Sequence, residues 1–332
     1  MNRAWGLAGC LALGGCSGAN SVLAPAGYQA HALLDVLKLT VFVGAAMYVL
    51  VLAFLTLGIV RRRVQESGDL PVVEPADAGL HRGLIAWSVL ILCGLSLLIT
   101  ASFVLDRHLA AAQPSETLEV RVTAQQWWWR FVYRDPATGR WVETANELHL
   151  PVGRTVRVTL GSNDVIHSFW VPSLAGKMDV IPGRVNVLDL TPRRLGWFRG
   201  QCAEFCGVQH AHMAFDVKVE SEADFRAWLA NQARPAVSPS GVDAARGMRI
   251  VSTQCAACHT VRGTAAAGRA GPDLTHLGAR RRMAAGTLAL NRGNIEGWIL
   301  QPQSIKPGTL MPATSLDSRG AEAVARYLEA LK

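Results

Sequence analysis

The sequence predicts three successive folded units: a pair of apolar, membrane-spanning helices, an all-β sandwich and a small all-α domain. Three observations predict this. Two apolar runs, about 33–60 and 84–105, lie in the first third of the 332-residue chain. Between 114 and 230, short stretches rich in Val, Leu and Thr alternate with turn signals. After a Pro-containing linker at 231–241, residues 242–332 read as short helical segments. A chain of this length divides into two or three units.

Residues 1–16 carry Arg3, an apolar stretch, and Leu13-Gly14-Gly15 immediately before Cys16. This is the layout of a secretory signal, ending in a lipoprotein cleavage box that makes Cys16 the expected lipid-modified N-terminus. Leu7-Ala8-Gly9-Cys10 also fits the box but leaves too short an apolar region before it.

The helical hairpin occupies 17–113. Its first run is interrupted by Asp35 and Lys38 near the start, and its second has no charge. About 20 apolar residues span the hydrocarbon layer. Arg61-Arg62-Arg63 abuts the first run and Arg82 the second, which places the 61–83 loop in the cytoplasm and both termini outside. Cys93, inside the second run, reads as a small buried hydrophobe.

Strands are expected at 118–123, 131–134, 147–150, 155–160 and 184–190. Asp135-Pro136, Pro151-Val152-Gly153 and Pro182-Gly183 supply the turns between them. This is the pattern of a sandwich or barrel. Residues 221–232 form an amphipathic closing helix with Ser221 as N-cap. The 231–241 linker is semi-rigid because of its prolines. Helices follow at 242–253, 294–300 and 318–331, and no internal repeat is present.

The formal charge of +8 is uneven. From residue 241 onward there are 12 Lys+Arg against 6 Asp+Glu, whereas 114–230 holds 13 of each. The basic excess belongs mainly to the last unit and reads either as a solvated surface or as steering towards an acidic partner. Nothing resembles a nucleic-acid module.

The chemistry concentrates in two motifs. The first is Gln201-Cys202-Ala203-Glu204-Phe205-Cys206-Gly207-Val208-Gln209-His210-Ala211-His212-Met213. Thiolate, imidazole and thioether together favour copper over zinc or magnesium. A mononuclear copper site uses two His, one Cys and a weak axial Met. Cys206, His210 and Met213 supply three of these, and His167, in Asp164-Val165-Ile166-His167, is well placed as the fourth. Cys202 is then one thiolate too many for a single ion. Two neighbouring thiolates can bridge two copper ions and spread one electron over both.

The second motif, Cys255-Ala256-Ala257-Cys258-His259, is the attachment pattern of a covalent c-type haem. The cysteines form thioethers and His259 is the proximal iron ligand. Met311, in a Met-Pro context, is the expected sixth ligand, and a Met there raises the potential. Met248 and Met283 are poorer candidates: one precedes the attachment site and the other follows an arginine run. Gly271-Pro272-Asp273-Leu274 resembles the stretch of class I cytochromes c whose proline carbonyl orients the histidine. Arg280, Arg281 and Arg282 could face haem propionates or form a solvated face. His149, His212 and His276 read as surface or packing residues.

Residues 114–215 resemble the copper-binding domain of cytochrome c oxidase subunit II. The resemblance rests on Gln126-Trp127-Trp128-Trp129, on 164–172 (DVIHSFWVP), on 177–184 (KMDVIPGR) and on 200–207 (GQCAEFCG) followed by His210 and Met213. It implies a cupredoxin-like Greek-key sandwich and, with 242–332, a subunit II carrying a fused cytochrome c domain. It implies a dinuclear copper centre held by His167, Cys202, Cys206, His210, Met213 and the main-chain carbonyl of Glu204. The Glu204 side chain would reach a magnesium ion at the boundary with subunit I, near the residue matching Asp179. Trp127 matches the exposed tryptophan through which electrons arrive from cytochrome c. Alternating strand geometry puts Trp127 and Trp129 on one face and Trp128 on the other. Asp164 could tune His167 or serve docking.

The family implies electron transfer from cytochrome c, through haem c and copper, to the haem of subunit I, where oxygen is reduced and protons are pumped. Subunits I and III are the implied membrane partners, in a bacterial plasma membrane with the metal domains outside. One departure stands out: Trp87 matches a family tryptophan, but Leu84 stands where a proton-uptake glutamate is usual, with His81 and Glu74 as substitutes. A free-standing carrier needs one anchor rather than two helices. A nitrous-oxide-reducing enzyme needs a further histidine-rich domain, and a quinol-oxidase subunit lacks Cys202 and Cys206. Copper chaperones place their histidine downstream on a thioredoxin-like fold.

Overall fold

The computed structural model describes residues 18–65, 78–111 and 117–332. Cys10, Cys16 and Glu74 lie outside the described residues. The described residues divide into two compact units: one is the helical hairpin, beginning at residue 31, and the other joins residues 18–30 to the region 117–332.

In the hairpin, α1 (Tyr28–Gln65) and α2 (Ala78–Ala111) each contain 33 residues long and apolar enough to cross a membrane, with a mean hydropathy of 2.4. Both helices run past the expected apolar limits, because polar and charged residues at a helix end extend it without belonging to the apolar span. Phe54 meets Trp87 edge to face at 5.7 Å, and Gly94 lies against Val43. A small residue there lets two apolar helices approach closely. Leu84 is exposed on α2. Cys93 is also exposed, contrary to expectation: two helices apolar on every side have no interior between them for most of their residues.

In the second unit, residues 18–30 pack on the β domain, although the sequence placed them with the hairpin. Ala26 N–H and Gly27 N–H both donate to Ser173 O, and Tyr28 N–H donates to Thr191 O. A Cβ at Gly27 would lie 2.3 Å from Leu174 O, so only glycine allows this approach.

The β domain is two five-stranded sheets. One contains β1 (Leu118–Gln125), β2 (Trp128–Arg134), β3 (Trp141–Ala145), β5 (Val156–Ser162) and β8 (Asn186–Leu190), in the order β3-β2-β1-β5-β8. The other contains β4 (Glu147–Pro151), β6 (His167–Trp170), β7 (Met178–Val180), β9 (Gly196–Cys202) and β10 (Ala214–Glu220), in the order β4-β10-β9-β6-β7. Period-two alternation drives this: Leu118, Val120, Val122 and Ala124 point inward from β1, and Val156, Val158 and Leu160 from β5. Trp129, Phe131, Phe169 and Phe215 interlock in tilted, edge-on and stacked pairs at the core. Two pairings, β1 with β5 and β10 with β4, are parallel. The closing helix α3 (Glu222–Gln232) begins as expected, with Ser221 Oγ accepting the Asp224 N–H.

The third domain holds α4 (Val242–Ile250), a π-helical turn Val251–Cys255, β11 (Arg282–Met283), β12 (Leu288–Ala289), α5 (Arg292–Leu300), α6 (Pro302–Ile305) and α7 (Ser318–Ala330). Helices α4 and α7 cross at Gly247, where a Cβ would lie 2.0 Å from Ala323 O. The linker is tied down: Ala236 N–H donates to Arg262 O, and Arg234 O accepts from His276 Nε2 at 3.1 Å.

Candidate metal centre and haem cavity

The register of β6 on β9 sets Phe169 opposite Cys202, which brings His167 at the start of β6 beside that cysteine. The loop after β9 is closed at its mouth by Cys202 N–H to Met213 O and Ala203 N–H to Ser168 O, each 2.9 Å. The side chains predicted as ligands converge. Cys202 Sγ lies 3.7 Å from Cys206 Sγ, 3.8 Å from His167 Nδ1 and 3.2 Å from Glu204 O. Cys206 Sγ lies 3.7 Å from His210 Nδ1 and 3.8 Å from Met213 Sδ. His167, Cys202 and Cys206 are buried and form the one cluster of three metal-binding His, Cys or acidic side chains found among the described residues.

Two soft sulfurs this close, each beside an imidazole, fit copper. The hydrogen bond between the two cysteines, with help from His167, pulls the Cys202 thiol well down. The same bond, with burial, drives Cys206 up.

Asp164 Oδ1 accepts from His167 Nε2 at 2.8 Å, which leaves Nδ1 facing Cys202. Carboxylates commonly orient metal-binding histidines in this way. The same carboxylate accepts Gln126 N–H at 2.6 Å and Val165 N–H at 2.7 Å. These bonds outweigh burial and hold its pKa below the usual carboxylate range. The structure thus gives Asp164 an orienting role. The side chains of Glu204 and Asp179 are exposed.

The third domain encloses a cavity bordered by Cys255, Cys258, His259, Met311, Arg280 and Trp127, with apolar walls from α5 and α7. His259 Nδ1–H donates to Pro272 O at 2.8 Å, leaving Nε2 for a metal. A Cβ on Gly271 would sit 2.5 Å from the His259 ring, so the glycine makes room for that orientation. Arg280 is buried, gives Nη2–H to Asp273 O, and keeps a buried Nε without a partner on the cavity wall. That orphaned donor and the paired thiols fit a haem with its propionates. Arg281 instead lies over Trp197, whereas Arg282 also lines the cavity while pairing with Asp216. Met283 also borders the cavity, while Met248 packs in the helical core.

Trp127 departs from expectation. It is 8 % exposed, because the loop leading to Met311 covers it. Its Nε1–H donates to Cys206 O at 2.9 Å, and Gln126 Nε2 donates to the same carbonyl at 2.8 Å. Gly207, at φ 114°, would bring a Cβ to 3.0 Å from the Trp127 ring. Trp129 is fully buried behind the metal cluster, edge-on to His167.

Contacts between the β and helical domains escaped the sequence reading, among them those of Lys306, Gln209 and Glu147. Lys306 is buried and donates to Trp127 O and His212 O, and burial lowers its ammonium to about 7. Gln209 Nε2 donates to Pro307 O at 2.7 Å. Glu147 Oε2 accepts Arg281 N–H at 2.9 Å. Glu147 also belongs to a buried cluster in which His149 bonds Glu220 through Nδ1 (2.6 Å) and Glu147 through Nε2 (3.0 Å). None of His149, His212 and His276 joins the metal cluster. No local pattern signals these contacts, since each joins residues 94 or more positions apart in the chain or depends on a partner strand.

Residues 135–220 match the family described as cytochrome c oxidase subunit II, periplasmic domain, and residues 244–332 match cytochrome c. A cytochrome c oxidase subunit 2 from Alkalihalophilus pseudofirmus is 34 % identical, over 97 % of this chain and 94 % of its own length. The Bacillus subtilis protein of the same name is 30 % identical over 94 % of this chain and 92 % of its own. That of Bacillus sp. PS3 is 33 % identical over 82 % and 80 %. The paired cysteines, the haem-attachment motif and relatives spanning nearly the whole length establish that this chain belongs to the cytochrome c oxidase subunit II family, as a member with a C-terminal cytochrome c domain, and so to a haem–copper oxidase.

Proposed function

We propose that the chain receives electrons from an external cytochrome c at its own haem and passes them, through a dinuclear copper centre, to the haem of subunit I, where oxygen is reduced to water and protons are pumped. The haem and the copper pair, when bound, each supply one-electron redox chemistry. Cys255 and Cys258 would hold the haem, with His259 and Met311 as axial ligands. His167, Cys202, Cys206, His210, Met213 and Glu204 O would hold two coppers. Asp164 keeps the His167 ring in one tautomer, and Pro272 O does the same for His259.

One observation carries this reading. Trp127 borders the haem cavity on one side and donates its indole N–H to Cys206 O on the other. The tryptophan serves the chain's own haem domain rather than a visiting protein. From that hydrogen bond, the path to the Cys206 sulfur is covalent.

The remaining assignments follow the family. The Glu204 side chain would help to hold magnesium against subunit I, and subunit III would complete the membrane assembly. Helices α1 and α2 would anchor the chain in the plasma membrane with the 61–83 loop inside and both metal domains outside. Cys16 would carry lipid.

The test is metal analysis of the purified full chain with an anaerobic redox titration, then time-resolved transfer in the assembled oxidase. One haem c and two coppers per chain, with near-infrared copper absorption, are expected. Trp127→Leu should slow haem-to-copper transfer at least tenfold. A single copper, zinc in its place, or an unchanged rate would overturn the reading.

A further inference from the structure

Lys306 lies five residues before Met311 and is 2 % exposed. Its ammonium faces three main-chain carbonyls: Trp127 O at 2.8 Å, His212 O at 2.8 Å and Ala284 O at 3.5 Å. An ammonium has three protons to donate, so the three acceptors match its capacity. They come from three places: the tryptophan beside the metal cluster, the copper loop, and the turn between β11 and β12. All three are neutral. Burying a charge against carbonyl dipoles is costly unless it is fully hydrogen-bonded, and an apolar side chain would join the two domains more cheaply. What the ammonium adds is direction, since hydrogen bonds tolerate little misalignment.

The surroundings hold the same geometry. Ala284 and Ala285 adopt positive φ values of 51° and 55°, an uncommon conformation for residues with a Cβ. In that turn Ala284 O reaches the ammonium and Ala285 O accepts Ala214 N–H at 3.0 Å. Gly308, at φ 83°, brings the loop so close that a Cβ would lie 3.0 Å from Val208 Cγ2 and 3.7 Å from the Trp127 ring. Gln209 fixes Pro307 from the other side. One loop therefore carries a predicted haem ligand and grips the main chain of Trp127 and of the copper loop.

We propose that Lys306 is a positioning residue for electron transfer within the chain: its ammonium locks the Met311 loop to Trp127 and the copper loop, and so fixes the haem cavity against the tryptophan. This rests on the relay through Trp127 proposed above.

The test uses the assembled, metal-loaded oxidase with Lys306→Met, which keeps length and removes every donor. Three readings are taken: the haem-to-copper transfer rate after light-driven injection of an electron, the midpoint potentials of both centres, and the copper electron-paramagnetic-resonance spectrum. The expected result is at least a tenfold slower transfer with potentials and copper spectrum unchanged, and faster amide exchange at 126–129 and 306–311 but not in α4 or α7. A wild-type rate would overturn the proposal. So would a slower rate accompanied by a shifted haem potential, since that would make Lys306 a structural part of the haem pocket. If Lys306→Met fails to load haem, Lys306→Gln, which keeps an amide donor, is judged by the same readings. Trp127→Leu separates the two ideas: if it slows transfer and the lysine variant does not, the lysine inference alone fails; if neither slows transfer, the relay itself fails.

Discussion

The indole N–H of Trp127 points at the carbonyl of Cys206, 2.9 Å away, and the far edge of the same ring faces Gly308 in the loop that ends at Met311. Gly207 makes the near side of this arrangement possible. Gly207→Ala would strain a φ of 114° and push a methyl to 3.0 Å from the ring. Destabilisation of about 1–3 kcal/mol is expected from overpacking and backbone strain, with a broadened copper resonance. Thermal unfolding and the copper spectrum together check it; an unchanged spectrum would mean that the loop does not depend on this contact.

Asp164→Asn removes the carboxylate that orients His167. Loss of such a partner commonly lowers metal affinity 10–100-fold. Competition with a copper chelator should show a loss of this size, with the haem domain unaffected. Affinity within threefold of wild type would refute the orienting role.

Gly271→Ala places a methyl 2.5 Å from the His259 ring and would turn the imidazole off Pro272 O. The haem-to-protein ratio should fall well below one, or the bound haem should lose its low-spin spectrum. Full loading with a wild-type spectrum would show that the cavity adapts.

His149 gives a pH dependence. Both ring nitrogens face carboxylates, so both must donate, and the ring is an imidazolium. Burial opposes this, but Glu147 and Glu220 more than offset it and raise its pKa. Lys218 also faces Glu220, and Arg281 N–H faces Glu147. A raised pKa means that the stabilisation is complete below the ordinary imidazole value of about 6.5 and is lost as pH rises through the folded value. Melting temperature should therefore fall as pH rises above that range. His149→Gln should cost about 3 kcal/mol at pH 6 by leaving buried carboxylates unpaired, and should flatten the profile. A wild-type melting temperature that does not fall on the alkaline side would show a neutral ring.

Much of this was legible because the chemistry is written locally. The copper loop holds four candidate ligand side chains within twelve residues, and Cys255–His259 is contiguous, so spacing alone located both. The hairpin showed as unbroken apolar runs, and Ser221 as a cap before a helical pattern. Strands β3, β6, β7, β9 and β10 were not anticipated: β7 and β9 carry weak local signals and take their conformation from neighbouring strands, whereas β10 holds the alternating Phe215, Val217 and Val219 that could have revealed it. Gly196–Cys202, for example, holds two glycines and an arginine, and pairs on both sides. The burial of Trp127 was out of reach for the same reason. It depends on Lys306 and Gly308, about 180 residues away, and family resemblance pointed instead to an exposed ring.

If electrons pass as proposed, that covering of Trp127 sets the kinetic order of the step. A donor that diffuses to the copper domain acts at its bulk concentration, and salt weakens its approach. A donor tethered and clamped at Trp127 acts at a fixed effective molarity. On the proposed relay the step across Trp127 would be first-order, indifferent to donor concentration and to ionic strength. Saturation and salt sensitivity would then pass to the outer face of the cytochrome c domain, whose excess of basic residues suits an acidic carrier.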